Sequence, residues 1–174
     1  GRDGEQAVGQ YLEQMRASGA RVLHDVVAEG FNLDHVVLSR RGFFVIETKT
    51  RSKPVGREAR ITLTDHSVRV DGFAPDRDPI QQVQAGARWL ARVLEESTGK
   101  RFFVRGAVVF PGWFVEPMSA AWRAAGLPWV LEPKSLPKFI ECEPEQFAAE
   151  DVRLAAYHLS RYVRAKQAEL AKTA

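Results

Sequence analysis

The stretch that decides the fold runs from Phe31 to Thr50 and reads F-N-L-D-H-V-V-L-S-R-R-G-F-F-V-I-E-T-K-T. It contains two apolar runs, residues 36–38 and 43–46, made of the β-branched, aromatic and long aliphatic side chains that strands favour. Arg41-Gly42 lies between the runs and is typical of a turn. The stretch therefore predicts a β-hairpin.

Three charged side chains stand at the ends of these apolar runs. Asp34 opens the first run, Glu47 closes the second, and Lys49 follows two residues later. An unpaired buried ion costs several kcal/mol, so charges at the ends of adjacent strands indicate an arranged site. Side chains alternate along a strand, so Glu47 and Lys49 share a face. Asp34 joins that face only if the hairpin connection has an even number of residues or a bulge.

The order of predicted helices and strands indicates the fold class. Val8, Leu12 and Met15 recur at helical spacing, and Asp78-Pro79 is a typical helix start. The predicted elements are a helix at 4–18, strands at 21–27, 34–39, 43–50, 60–64 and 67–70, a helix at 79–97, a strand at 101–110, a short helix at 118–125, a strand at 129–132 and a mainly helical region at 144–170. This order predicts an α/β domain with a mixed central sheet flanked by helices.

Composition indicates the general class of protein. The chain has 174 residues, 45% hydrophobic and 27% charged, which predicts one globular domain over residues 1–174. No apolar run approaches the roughly 18 residues of a membrane span, so no membrane partner is expected. The single Cys142 and the missing leader sequence predict a cytoplasmic location. The start G-R-D-G-E lacks Met and predicts a piece of a larger protein with additional fused domains.

Basic residues cluster in sequence around the acidic pair. The net charge is only +3, which weakly favours a polyanionic partner. We expect phosphate contacts, rather than solvated loops alone, from the basic residues on either side of Glu47, because they surround the candidate site. These residues are Arg40, Arg41, Arg51, Lys53, Arg57 and Arg60. The basic residues of the C-terminal helix fit a solvated helix face at least as well.

The residue types at the ends of the hairpin strands suit phosphodiester hydrolysis. Two carboxylates, Asp34 and Glu47, bind a hard divalent cation through oxygen, and the backbone carbonyl of Thr48 offers another oxygen. Such a cation polarises the phosphate and lowers the pKa of a bound water. Lys49 is placed to position that water or to stabilise charge on the phosphate.

Four segments, in order, resemble the nuclease-related domain (NERD) family of the PD-(D/E)XK nuclease superfamily. They are G-E-Q-A-V at the start of the first helix, F-N-L-D-H-V-V-L, G-F-F-V-I-E-T-K with its E-x-K signature, and D-P-I-Q-Q-V-Q-A-G-A-R-W-L. The resemblance covers residues 4 to about 110, whereas the last third of the chain matches only loosely. Leu33 stands where the superfamily name has proline, and Asp78 stands where the family has asparagine.

This resemblance implies a restriction-endonuclease-like core, Mg²⁺ or Mn²⁺, and DNA as substrate, with RNA not excluded. It also implies that Glu5 reaches the metal from the first helix and that Gln82 hydrogen-bonds at the site from the helix that crosses the sheet. The predicted catalytic residues are thus Asp34, Glu47, Lys49 and Gln82, and the predicted metal ligands are Glu5, Asp34, Glu47 and Thr48. A homodimer is compatible with this reading.

Other interpretations of the same residues stay open. Glu5 also suits the first turn of a helix without any metal. His35 lies next to Asp34 but on the opposite face, and the four tryptophans are better explained as core residues than as stacking platforms. The alternative functions are a nucleic-acid-binding module without turnover and an interaction module of a multidomain protein.

Overall fold

A computed structural model describes residues 2–51 and 59–174. The helices are α1 (Arg2–Glu13), α2 (Pro79–Thr98), α3 (Ala120–Ala124), α4 (Leu136–Glu141) and α5 (Ala149–Thr173), with 3₁₀ turns at Gln14–Ser18 and Pro133–Ser135. The strands are β1 (Arg21–Val27), β2 (Asn32–Ser39), β3 (Gly42–Thr48), β4 (Arg60–Thr64), β5 (Ser67–Val70), β6 (Val104–Val109), β7 (Phe114–Val115) and β8 (Trp129–Leu131). None of the described helices is both long and apolar enough to cross a bilayer.

The main sheet has five strands in the order β1-β2-β3-β6-β8. The first three strands are antiparallel neighbours, and β3, β6 and β8 run parallel. A second, three-stranded sheet has the order β5-β4-β7. The predicted α/β fold with a mixed sheet and flanking helices is confirmed, and the division into two sheets is an addition that the strand pattern did not reveal.

Alternation along β2 and β3 builds a separate core on each face of the main sheet. Val36 and Val45 pack with residues of α2 and α5, whereas Val37 and Phe44 pack with residues of α1 and α4. All seven residues of β3 are buried, because helices cover both of its faces. Glu47 and Thr48 thus end a strand that is otherwise apolar.

Helix α2 lies unusually close to the sheet. A Cβ at Gly86 would lie 2.8 Å from Leu33 Cδ2, and one at Gly106 of β6 would lie 2.9 Å from Val83 Cγ1. The helix begins as predicted, because the Asp78 side chain accepts hydrogen bonds from Ile80 N and Gln81 N. The two glycines and this cap fix the first turn of α2 against the sheet.

Two predicted helix boundaries need correction, and one short strand was missed. The first helix ends at Glu13 and continues as a 3₁₀ turn, and Gly19 at φ 94° ends that turn. The C-terminal helix begins at Ala149 rather than at 144. Residues 144–148 lie outside the helix, and there Gln146 N and Phe147 N both donate to the carbonyl of Arg40. Strand β7 was not predicted, since two residues are too short to show an alternation.

Candidate functional site

The register of the β2–β3 hairpin decides the position of Asp34. Ser39 pairs with Gly42 and His35 pairs with Ile46, so two residues connect the strands. The connection is even, and one step beyond the last pair places Asp34 opposite Glu47 on the same face. The hairpin connection thus has the even number of residues that a site shared by Asp34 and Glu47 requires.

The two carboxyl groups interact directly. Glu47 is only 5% exposed, and Asp34 is half-buried. Burial, followed by the charge of Asp34 and a hydrogen bond with its side chain, raises the pKa of Glu47 to about 8. The backbone N–H of Thr48 donates to Asp34 Oδ2 at 2.8 Å, which fixes the orientation of that carboxylate. At neutral pH Glu47 therefore keeps its proton unless a cation replaces it.

Lys49 and Gln82 complete this side of the site. Lys49 Nζ donates to Gln82 Oε1 at 2.5 Å. Gln82 lies in the first turn of α2, where its backbone N–H donates to the carbonyl of Asp78. The close approach of α2 at Gly86, one turn further on, brings the amide to the lysine. The side-chain oxygen of Gln82 thus holds the ammonium group at the end of β3.

Glu5 approaches the pair from α1. Burial, followed by the charges of Asp34 and Asp25, raises the pKa of Glu5. The helix comes close because Gly4 has no side chain: a Cβ there would lie 2.5 Å from Thr50 Cγ2. Glycine at this position therefore lets the first turn of α1 reach the end of β3, and with it Glu5.

Asp25 is a fourth carboxylate that sequence reasoning missed. It lies in β1 between His24, which pairs with His35, and Val26, which pairs with Leu33, so the register puts it opposite Asp34. Its φ of 51° is unusual for a non-glycine residue inside a strand. The sequence feature that could have revealed it is the charge of Asp25 among the apolar residues of R-V-L-H-D-V-V. The charge of Asp25 also raises the pKa of Glu5, so Asp25 lies near the first turn of α1.

The sequence profile of the nuclease-related domain family matches residues 1–111. The chain belongs to the nuclease-related domain family. The matched range contains Glu5, Asp34, the E-x-K residues and Gln82, and the α/β core is consistent with the PD-(D/E)XK superfamily. No curated protein and no solved structure matches the chain significantly.

The histidine next to Asp34 faces away from the acidic pair of this nuclease-related domain. His35 is 3% exposed, and its Nδ1 lies 2.8 Å from His24 Nδ1. His24 Nε2 in turn lies 2.7 Å from Glu13 Oε1. Burial, followed by the charge of His24, lowers the pKa of His35 to about 4. His35 is thus a neutral residue of the α1 side of the sheet, as its alternation with Asp34 predicted.

The predicted basic residues do not form one group. Arg40 and Arg41 form the hairpin turn, which lies about 20 Å of strand away from Asp34. There Arg40 Nη2 lies 3.2 Å from Glu145 Oε2, and Arg41 Nη1 donates to the Glu143 carbonyl at 2.6 Å. The structure therefore does not bring these two arginines to the acidic pair, because they lie at the turn and Asp34 lies at the other end of β2.

Two of the remaining basic residues, Arg51 and Arg60, lie among the residues that the structure describes. Arg51 is exposed, and its carbonyl accepts a hydrogen bond from Trp113 Nε1. Arg60 lies in β4, with its guanidinium 4.8 Å from the centre of the Phe114 ring. Lys53 and Arg57 lie outside the described residues. All four tryptophans are 3% exposed, which confirms their prediction as core residues.

The donor atoms at the site fit a hard divalent cation. The described residues contain no ready-made cluster of three or more His, Cys, Asp or Glu side chains that could hold a metal. They do offer two carboxyl groups forced together at Glu47 and Asp34, and a cation would relieve their repulsion. The Thr48 carbonyl follows Glu47 in the chain, and Glu5 is near enough for the charge of Asp34 to raise its pKa. An all-oxygen set of this kind favours Mg²⁺ or Mn²⁺.

Proposed function

We propose that this nuclease-related domain is a divalent-metal-dependent nuclease that hydrolyses phosphodiester bonds of DNA, with RNA not excluded. The observation that carries the proposal is the buried Asp34–Glu47 pair beside the Lys49–Gln82 hydrogen bond. Burying two carboxyl groups together costs free energy, and binding of a cation would offset that cost. A lysine next to such a pair offers the positive charge that a phosphate needs.

Each residue has a separate role in this proposal. Asp34 and Glu47 hold Mg²⁺ or Mn²⁺, with Thr48 and Glu5 as further oxygen donors. When bound, the cation supplies Lewis acidity and a water of lowered pKa. Lys49 stabilises the negative charge that develops on the phosphate oxygens. Gln82 orients Lys49 through the hydrogen bond at 2.5 Å. The N–H of Thr48 keeps the Asp34 carboxylate turned towards Glu47.

A cleavage assay with purified protein tests the proposal. The substrates are labelled single-stranded DNA, duplex DNA, branched DNA and RNA, each with Mg²⁺, Mn²⁺ or EDTA. We expect products with either cation and none with EDTA. If no substrate is cut under any of these conditions, the nuclease proposal is wrong. Salt-dependent DNA binding without cutting would then support a binding module that kept the fold without turnover.

Replacing Gly4 by alanine is expected to lower cleavage by about 10- to 100-fold, because a small displacement of a catalytic group has effects of this size. The new Cβ would lie 2.5 Å from Thr50 Cγ2, so α1 and Glu5 must shift. Initial cleavage rates measure the effect. Thermal unfolding should change little, because alanine also stabilises helices relative to glycine.

Two further variants make the Gly4 prediction specific. Gly9→Ala is the matched control, because a Cβ there would meet atoms only at 3.5 Å or more. Thr50→Ser removes the clashing methyl group and should restore cleavage in the Gly4→Ala background. Unchanged cleavage in Gly4→Ala, or an equal loss in Gly9→Ala, would contradict the role assigned to the close approach of α1.

A further inference from the structure

A second feature lies at the same end of the main sheet as Glu47. The parallel strands β3, β6 and β8 all end there, and ligands of α/β sheets bind at the carboxyl ends of such strands. A cavity of about 480 Å³ opens beyond β6 and β8. It is lined by Ala7 and Tyr11 of α1, by residues 111–114 after β6 and by residues 132–134 after β8.

Two aromatic rings on this cavity are open to solvent. Tyr11 is 38% exposed and Phe114 is 42% exposed. A third aromatic residue of the same cavity, Trp113, is buried instead: it is 3% exposed, and its indole N–H donates to the carbonyl of Arg51. Trp113 is therefore part of the cavity wall, whereas Tyr11 and Phe114 each keep part of their ring surface open to solvent.

Positive charge accompanies these rings. The guanidinium of Arg60 lies 4.8 Å from the centre of the Phe114 ring. Lys134 lines the same cavity with a side chain that is 72% exposed, and its ammonium lies 3.7 Å from Glu132. Exposed aromatic faces beside cations are the combination by which proteins bind unpaired nucleotides, with bases stacked on rings and phosphates near the cations.

The first helix connects this surface to the acidic pair. Gly4 packs against Thr48 and Pro111, and Ala7 and Tyr11 follow at three and seven residues, on the same face of α1. Tyr11 is six residues beyond Glu5, which is about 9 Å along the helix axis. A strand whose phosphate reaches the acidic pair would therefore place a neighbouring nucleotide near the exposed rings.

We propose that Tyr11 and Phe114, with Arg60 and Lys134, form a binding surface for single-stranded nucleic acid. The inference deepens the proposed function and rests on it for the position of the scissile phosphate. Bases in a duplex are paired and stacked on one another, so they have no free face for these rings. The preferred substrate is then a strand with unpaired nucleotides, such as a single strand, a flap or a frayed end.

Binding measurements in a Glu47→Gln background test this surface without cleavage. Fluorescence anisotropy with a labelled oligothymidylate and with a labelled duplex compares Tyr11→Ala and Phe114→Ala with the parent. We expect each substitution to weaken single-strand binding by about 5- to 100-fold. Duplex binding should stay within about twofold of the parent, because stacking on the rings does not contribute to it.

Phe103→Ala is the matched control. Phe103 is 60% exposed and has the Arg105 guanidinium 5.6 Å from its ring centre, but it lies before β6, at the opposite end of that strand. Its substitution should not change single-strand binding. Tyr11→Leu and Phe114→Leu keep apolar bulk without an aromatic face, so they should also weaken binding even if an alanine variant unfolds.

The outcomes separate this inference from the proposed function. Unchanged single-strand affinity in the leucine variants, or an equal loss in Phe103→Ala, would overturn the binding surface. Metal-dependent cleavage of duplex DNA by the parent protein could still be present in that case. Conversely, the parent protein could cut no substrate while the Tyr11 and Phe114 variants lose single-strand binding. That result would support the binding surface and refute the nuclease proposal.

Discussion

Replacing Lys49 by methionine is expected to lower metal-dependent cleavage by at least about 100-fold, because it removes a cation placed where negative charge develops. The substitution keeps a long apolar stem and removes the ammonium that donates to Gln82 Oε1 at 2.5 Å. Glu47→Gln is expected to have an effect at least as large, since an amide has no charge with which to hold the cation. Single-turnover rates with Mn²⁺ measure both effects apart from product release.

Gln82→Leu should be milder, at about 10-fold, because Gln82 positions Lys49 rather than contacting the phosphate. Lys100→Met is the matched control for Lys49: its ammonium lies 2.8 Å from Asp151 Oδ1 on the surface, far along the chain from the E-x-K segment. Cleavage by Lys49→Met within threefold of the parent would show that Lys49 is not part of the reaction. An equal loss of cleavage in Lys100→Met would show that removing a positive charge from the surface is enough to cause the effect.

The sequence predicted the hairpin and the acidic pair for the same physical reason. Alternation with period two places Val36 and Val45 in one core and Val37 and Phe44 in the other, and the same alternation places Asp34 with Glu47. Only the parity of the turn was open, and the Ser39–Gly42 pair settles it. Local pattern and register therefore fix this half of the site.

The parts that the sequence did not predict depend on contacts between distant segments. Asp25 comes near Glu5 through the pairing of β1 with β2 and the approach of α1 to the sheet, neither of which a strand pattern specifies. Arg40 and Arg41 are only a few residues from Asp34 in sequence, but the chain reverses at them, and they bind residues 143–147 instead. The late start of α5 has the same cause, because the N–H groups of Gln146 and Phe147 bind the Arg40 carbonyl instead of helical partners.

The carboxyl pair should also make the stability of the metal-free protein fall as pH rises. The pKa of Glu47 is about 8 in the fold and 4.5 ordinarily, so above pH 4.5 the unfolded chain loses a proton that the folded chain keeps. The free energy of unfolding then decreases by up to about 1.4 kcal/mol per pH unit until pH 8. His35 acts in the opposite sense: its pKa falls from 6.5 to about 4, so it costs stability only as pH falls below 6.5.

Between pH 6.5 and 8 the effect of Glu47 is therefore separated from that of His35. Urea unfolding in EDTA should show a stability that falls across this window in the parent and stays flatter in Glu47→Gln. Glu96→Gln, an exposed acid on α2, is the control and should behave like the parent. A parent curve as flat as that of Glu47→Gln would mean that Glu47 is not held protonated by the fold.

A bound cation should reverse this trend, because it needs the ionised form of Glu47 and its binding releases the proton of Glu47. Mn²⁺ should therefore raise the unfolding temperature of the parent more at pH 8 than at pH 6.5. Glu47→Gln should lack this Mn²⁺-induced rise in unfolding temperature, whereas Glu96→Gln should show the same rise as the parent. The energy lost by burying two carboxyl groups together is then recovered in cation binding, which ties the instability of this end of the sheet to the proposed chemistry. Equal Mn²⁺-induced shifts of the unfolding temperature in the parent and in Glu47→Gln would show that any bound cation lies away from Glu47.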